Sequence, residues 1–248
     1  MARMLFVVLL CSCRFLPAPI PMAKIVEAQQ PNTPAKCLFI LLPGAGDHAA
    51  TFREQGFVDQ LQGTGWSVDL VAADATMGYY FKGIAAERIE VDVAAPARLG
   101  QQHIWLIGTS MGGFGTFNYA MQYPDHVNGI LAIAPYLGDK DIAQEVSAAG
   151  GLVKWVPDAK AVPLTEDNYQ RQLWSYLHRV VTGDEEKAPS VYVGWGDADG
   201  LGKPDSLLAA ALPPDHVFHA PGGHDWPVWR NLLKQFLLTP EIKAACAR

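Results

Sequence analysis

Residues 104 to 115 read Ile-Trp-Leu-Ile-Gly-Thr-Ser-Met-Gly-Gly-Phe-Gly, and few folds accommodate such a stretch. A strand-like apolar run, Ile104 to Ile107, stops at a glycine and presents a serine. It then continues as a glycine-rich helix start that runs on toward Tyr123. Gly108-Thr109-Ser110-Met111-Gly112 fits G-x-S-x-G, a tight strand-to-helix turn that lifts a serine hydroxyl clear of a sheet's carboxyl edge. A serine in so strained a turn needs neighbours without a Cβ on either side, and the helix must sit close to the strand. Such a helix start also aims free N–H groups and a positive dipole end at developing negative charge. A five-residue pattern with three fixed positions recurs by chance, so its bland counterpart is a plain glycine-rich turn. The flanking strand and helix patterns favour the nucleophile turn.

The rest of the chain alternates strand and helix signals. Lys24 to Ala28 is a candidate edge strand, followed by a polar connection from Gln29 to Ala35. Cys37 to Leu42 is a continuous apolar run ended by Pro43-Gly44-Ala45-Gly46, the pattern of a parallel strand buried on both faces. Thr51 to Gln62 has helical spacing with Phe52, Phe57, Val58 and Leu61 facing inward, and Trp66 to Ala72 reads as a strand. Asp74 to Lys82 reads as a loop, and Ile84 to Leu99 as a helix that Pro96 should end or bend. Val127 to Ala134 is a further core strand. Residues 136–188 break the alternation: Asp139 to Ala149 and Asn168 to Val181 look helical, with Gly150-Gly151 and a stretch around Trp155 to Pro163 between them. Inserted after a core strand, this segment is expected to form a small helical cap over a pocket. Ser190 to Gly194 resumes the sheet. A short helix (Ser206 to Leu212), a last strand (His216 to His219) and a closing helix (Val228 to Leu238) complete it. Alternation of this kind implies an α/β domain, a mostly parallel sheet with helices on both faces.

Half of the 248 residues are hydrophobic and the net charge is −6, without a basic stripe. One α/β domain over residues 24–248 is expected, with no nucleic acid as partner. No apolar run reaches the ~18 residues of a membrane span. Residues 1–23 are set apart as a leader: Met1-Ala-Arg3 is followed by apolar Met4 to Leu10, Cys11-Ser12-Cys13 and a Pro-rich stretch. This suggests an export signal, and Leu10 to Cys13 resembles a lipoprotein box with Cys13 as the lipidated residue. Translation from Met4 or Met22, with a cytoplasmic product, is the competing reading. Of the four cysteines, Cys37 opens a core strand and Cys246 lies in the tail. They are expected to be free, a Cys37–Cys246 bridge being the alternative.

A serine nucleophile needs a base, and the base needs an anion to hold it. His224, in Pro221-Gly-Gly-His-Asp-Trp between the last strand and the closing helix, is placed to reach Ser110. His103, His126, His178, His216 and His219 read as structural or exposed, and His48 as a pocket neighbour. Val193-Gly-Trp-Gly-Asp197-Ala-Asp199 puts two aspartates past a strand's carboxyl end. Asp199 is the favoured acid, Asp197 the second choice and Asp139 an outsider. The oxyanion hole is expected from the Met111 N–H together with one from Gly44-Ala45-Gly46, that of Ala45. Tyr79, Tyr80, Phe114, Tyr136 and Trp155 are candidate pocket walls, although aromatic residues at strand ends more often belong to a core.

Leu41 to Gly46, Gly108 to Gly113, Gly196 to Asp199 and Gly222 to Trp226 carry a resemblance to the α/β-hydrolases, over about residues 36 to 238. The chain is similar to the bacterial serine esterases and esterase-like hydrolases. It departs from many members where Pro43-Gly44 stands in place of a His-Gly pair. The order Ser110, Asp199, His224 is the order of that fold. The resemblance implies hydrolysis of an ester or related acyl bond of a small molecule through an acyl-enzyme, without metal or organic cofactor. Thioester cleavage and acyl transfer would use the same three residues, and a catalytically silent binding protein is the alternative from another class. A metal site at His216, His219, His224 and Asp225 is disfavoured, because His-x-x-His on a strand turns its two rings to opposite faces.

Overall fold

Apolar runs become strands here because sheet neighbours bury both of their faces. The computed structural model describes residues 16–27, 33–157 and 168–247. Met4 to Leu10, Cys11, Cys13, most of the connection at 29–35 and Pro163 lie outside these residues. Among the described residues seven strands form one sheet: β1 (Lys24–Glu27), β2 (Cys37–Leu42), β3 (Val68–Ala73), β4 (His103–Thr109), β5 (Gly129–Ile133), β6 (Ser190–Gly196) and β7 (Val217–Ala220). Their order is β1-β3-β2-β4-β5-β6-β7, and every pairing is parallel except that of the edge strand β1 with β3. β2, β3 and β5 are buried at every position, so helices cover both sheet faces, as expected for this fold class.

The chain runs from β2 outward to β3 and then returns past β2 to β4. The loops leaving β2 and β4 therefore diverge at the sheet's carboxyl edge, which opens a crevice there. Leu42 pairs with Gly108, so Pro43 to Asp47 and Ser110 enter that crevice side by side.

Several elements depart from the sequence reading. The expected helix from Thr51 to Gln62 is split by Gly56, whose φ of 78° interrupts it, into α1 (Thr51–Glu54) and α2 (Phe57–Gln62). Its inner face is nevertheless the expected one, since Phe52, Phe57, Val58 and Leu61 are all buried. Part of the expected loop at 74–82 is a helix, α3 (Met77–Phe81). The helix over 84–99 is continuous but mixed: Ala85–Arg88, a wider π-type turn at Ile89–Ala94, and Ala95–Ala97, together α4. There follow α5 (Met111–Gln122), α6 (Lys140–Ala148), α7 (Tyr169–Thr182), α8 (Gly202–Ala209) and α9 (Trp226–Phe236). A further helix, α10 (Pro240–Cys246), takes the place of an unstructured tail.

Two differences concern the chain ends. Cys37 and Cys246 are not free thiols but a disulfide, with 5.4 Å between their Cα atoms. Ile242 and Cys246 are buried on the inner side of α10, which carries the second cysteine to the start of β2. Packing also begins before residue 24. Met22 is buried and its N–H donates to Asp92 Oδ2, while Tyr79 Oη donates to the carbonyl of Pro19 at 2.6 Å. Among the described residues no helix is long and apolar enough to cross a membrane.

Candidate active site

The turn between β4 and α5 owes its shape to its glycines. A Cβ on Gly112 would lie 2.0 Å from the carbonyl oxygen of Leu42, and one on Gly108 2.2 Å from that of Gly112. Their absence lets α5 start against the sheet, and Ser110 takes φ 52° and ψ −114°, a region that side chains rarely adopt. The conformation is held from three directions. Ser110 N–H donates to the Ile133 carbonyl, and the Ser110 carbonyl accepts from the N–H groups of Phe114 and Tyr136.

His224 arrives on the loop between β7 and α9. Ser110 Oγ donates to His224 Nε2 at 2.9 Å, and His224 Nδ1 donates to Asp199 Oδ2 at 2.7 Å. The Asp199 side chain is fully buried, and its other oxygen accepts from the Leu201 N–H at 2.8 Å. The ring of His224 also stands edge-on to Trp229, with centroids 5.0 Å apart. The structure thus brings Ser110, His224 and Asp199 together. Asp197 is turned away and lies 3.6 Å from His219 Nδ1. Asp139 sits at the start of α6, accepting from Tyr136 Oη and from Gln170 Nε2. His48 pairs with Asp74 at 3.0 Å, and His216 Nδ1 is bonded to the Val191 carbonyl.

Met111 is the first residue of α5, so its N–H is among those without an intrahelical acceptor. The loop after β2 lies beside it. A Cβ on Gly44 would be 3.4 Å from Ser110 Cβ, and the Asp47 N–H closes a turn onto the Gly44 carbonyl. Ala45 is exposed at the tip of that turn. Burial pushes the Asp47 carboxyl above its ordinary value, against the hydrogen bond from Trp226 and the nearby His48.

A cavity of about 660 Å³ opens next to Met111. Tyr80, Phe114 and Tyr136 line it as expected. Tyr79 does not, being buried beneath Pro19, nor does Trp155, whose Nε1 donates to Glu145. The sequence reading missed Met77, the run Phe81 to Gly83, Ala85, Asn118, Gln122 and, from the cap, Tyr169. Asn118 carried a signal, as an amide within an otherwise apolar and glycine-rich helix face. Asp205 was also missed. It is fully buried on α8, and both carboxylate oxygens lack a hydrogen-bond partner among the described residues. Burial first, and then the charge of Asp199, drive its carboxyl well above the usual range. Among the described residues no group of His, Cys, Asp and Glu side chains is placed to hold a metal ion.

The model of the alpha/beta hydrolase fold matches residues 85–185, a span that includes Ser110 but neither Asp199 nor His224. Among curated proteins, no sequence matches the chain. Solved structures do. Est1E from Butyrivibrio proteoclasticus superposes with a TM-score of 0.60 at 18% identity, over 90% of this chain and 95% of that one. A ferulic acid esterase gives 0.59 at 20%, over 90% and 92%. The fluorophosphonate-binding serine hydrolase F of Staphylococcus aureus gives 0.56 at 15%, over 88% and 97%. At such identities the likeness is one of fold. Strand order, the turn at Ser110 and the match over residues 85–185 agree in showing the alpha/beta hydrolase fold.

Proposed function

We propose that this protein is a serine hydrolase that cleaves a carboxylic ester of a small molecule through an acyl-enzyme. The observation that carries the reading is the unbroken relay from Ser110 Oγ through His224 to the buried carboxylate of Asp199, at 2.9 and 2.7 Å. In this mechanism His224 Nε2 takes the Ser110 proton as the oxygen attacks the ester carbonyl. The imidazolium that forms is held by Asp199, and the N–H groups of Met111 and Ala45 receive the oxyanion. His224 then gives its proton to the leaving alcohol. Next it takes one from water, and the resulting hydroxide attacks the acyl-serine carbonyl and releases the acid. The second half returns Ser110 and His224 to their starting protonation states.

We also propose an exported location, in the periplasm or on a membrane through lipid at Cys13. The leader composition and the Cys37–Cys246 disulfide support it, since such bridges persist in oxidising compartments.

Intact mass after treatment with a fluorophosphonate tests the nucleophile. One adduct is expected on the wild type and none on Ser110→Ala. Turnover of p-nitrophenyl acetate should fall about 10³-fold or more in Ser110→Ala, and by a similar factor in Asp199→Asn, which leaves the ring in the wrong tautomer. Wild-type protein that is folded, unlabelled and inactive would overturn the reading.

A further inference from the structure

The cavity beside Ser110 differs at its two ends. Met111, Phe114, Asn118 and Gln122 all line it and recur every three or four residues, so it follows one stripe of α5. At 1.5 Å per residue that stripe is about 16 Å long. Near Ser110 the walls are aromatic. Phe114 has Tyr80, Tyr136 and Tyr169 around it, with ring centroids 5.9, 6.5 and 5.6 Å away. Further along the stripe the wall is polar. Asn118 is 7% exposed, its Oδ1 accepts from Gln122 Nε2 at 3.1 Å, and its Nδ2 has no hydrogen-bond partner among the described residues.

The remaining rim is the exposed run Phe81-Lys82-Gly83. Among the described lining residues Lys82 carries the one charge. The acids nearest to it in sequence pair with other residues, Asp74 with His48, Glu87 with Arg88 and Glu90 with Arg98. Asn118 Nδ2 and the Lys82 ammonium are both donors, so what they take must accept.

The cavity also lies on a definite side of the serine. None of its lining residues comes from the loop of Asp199 or the loop of His224. A leaving oxygen must stay within reach of His224 Nε2, which is to be its proton source, so the part of the ester that enters the cavity is the acyl part. From Ser110 to Asn118 is eight residues of helix rise, about 12 Å, which an extended chain crosses in roughly ten bonds.

We propose that the preferred acyl group is a medium-length chain ending in a carboxylate, its body among the four aromatic rings and its far end on Asn118 Nδ2 and Lys82. The proposal rests on the hydrolase reading above. It deepens that reading by naming the substrate class, an ester of an α,ω-dicarboxylic acid.

The test uses the full chain at low salt with four p-nitrophenyl esters: acetate, decanoate, the mono-ester of decanedioate, and ω-aminodecanoate. The decanedioate ester should exceed decanoate about tenfold in kcat/KM, with ω-aminodecanoate below both. Lys82→Glu changes an exposed side chain and should exchange the order of the two charged esters. Asn118→Leu should cut the ratio of decanedioate to decanoate several-fold. Decanoate equal to or better than decanedioate, or an order unmoved by Lys82→Glu, would overturn the proposal. If even the acetate is not turned over, the hydrolase reading falls separately. The chain-end preference is then read from calorimetric dissociation constants of the free acids, decanedioate against decanoate, with the same order expected and the same reversal fatal.

Discussion

Removing the Cys37–Cys246 disulfide should destabilise this chain strongly, because the bridge closes nearly all of it into one loop. The cysteines are 209 positions apart. For a loop of that length the chain-entropy relation gives about 18 cal/mol/K taken from the unfolded state, or about 5 kcal/mol at 25 °C. Unfolding a chain of 248 residues carries an entropy of about 0.5 kcal/mol/K near its midpoint, so the loss corresponds to roughly 10 °C in Tm. The native contacts around the bridge do not depend on it. Tyr192 and Ser190 donate to Glu241, the Ser67 N–H donates to the Cys246 carbonyl, and Ile242 is buried. Helix α10 should therefore stay docked, and the Cys37→Ala/Cys246→Ala variant should keep its wild-type near-ultraviolet circular dichroism at 25 °C while melting far earlier. Differential scanning calorimetry of the double variant beside the oxidised wild type gives the number. A fall of less than about 3 °C would refute the argument. So would an equal fall in a wild-type chain truncated before Pro240, which would mean that the bridge only pins α10.

Two further substitutions probe the groups that frame the site. The Asp205 carboxyl is raised by burial and by Asp199, so the folded state keeps a proton that the unfolded chain releases near pH 4, and stability falls as pH rises from there. Asp205→Asn removes this linkage. It should leave the unfolding free energy nearly unchanged at pH 4 and raise it at pH 8, both measured by urea unfolding, whereas an equal difference at both values would disprove the assignment. Gly112→Ala drives a Cβ to 2.0 Å from a backbone oxygen and should cost at least about 3 kcal/mol or prevent folding. Gly115→Ala meets only the Tyr80 side chain, its hydroxyl at 2.2 Å and two ring carbons at 3.2 and 3.3 Å, rather than backbone, and should cost less than Gly112→Ala in the same assay.

The sheet was legible because buried parallel strands must be apolar at every position, and Cys37 to Leu42 and Gly129 to Ile133 are. The positions of Ser110, Asp199 and His224 were legible for a related reason: each follows a strand's carboxyl end, and loops there converge whatever their sequence. What the sequence hid was set by long-range packing. Cys246 reads as a residue in a tail until Ile242 docks α10 under the sheet. Asp205 reads as a helix-surface acid until α8 turns it inward. Tyr169 reaches the cavity through long-range packing on Phe114 and a 3.3 Å contact of its hydroxyl with that of Tyr136, beside the carboxylate of Asp139. The helix over 51–62 had the right inner face but hid its break, because a left-handed Gly56 leaves the hydrophobic spacing intact.

The cavity walls hang from other connections than the proposed nucleophile's partners do. Tyr80 and Lys82 follow β3, Tyr136 follows β5 and Tyr169 belongs to the cap, whereas Asp199 and His224 follow β6 and β7. Helix α5 serves both, through Met111 and Phe114, and so does Tyr136, whose N–H donates to the Ser110 carbonyl. Side chains such as Tyr80, Lys82 and Tyr169 can therefore vary without altering the connections that carry Asp199 and His224.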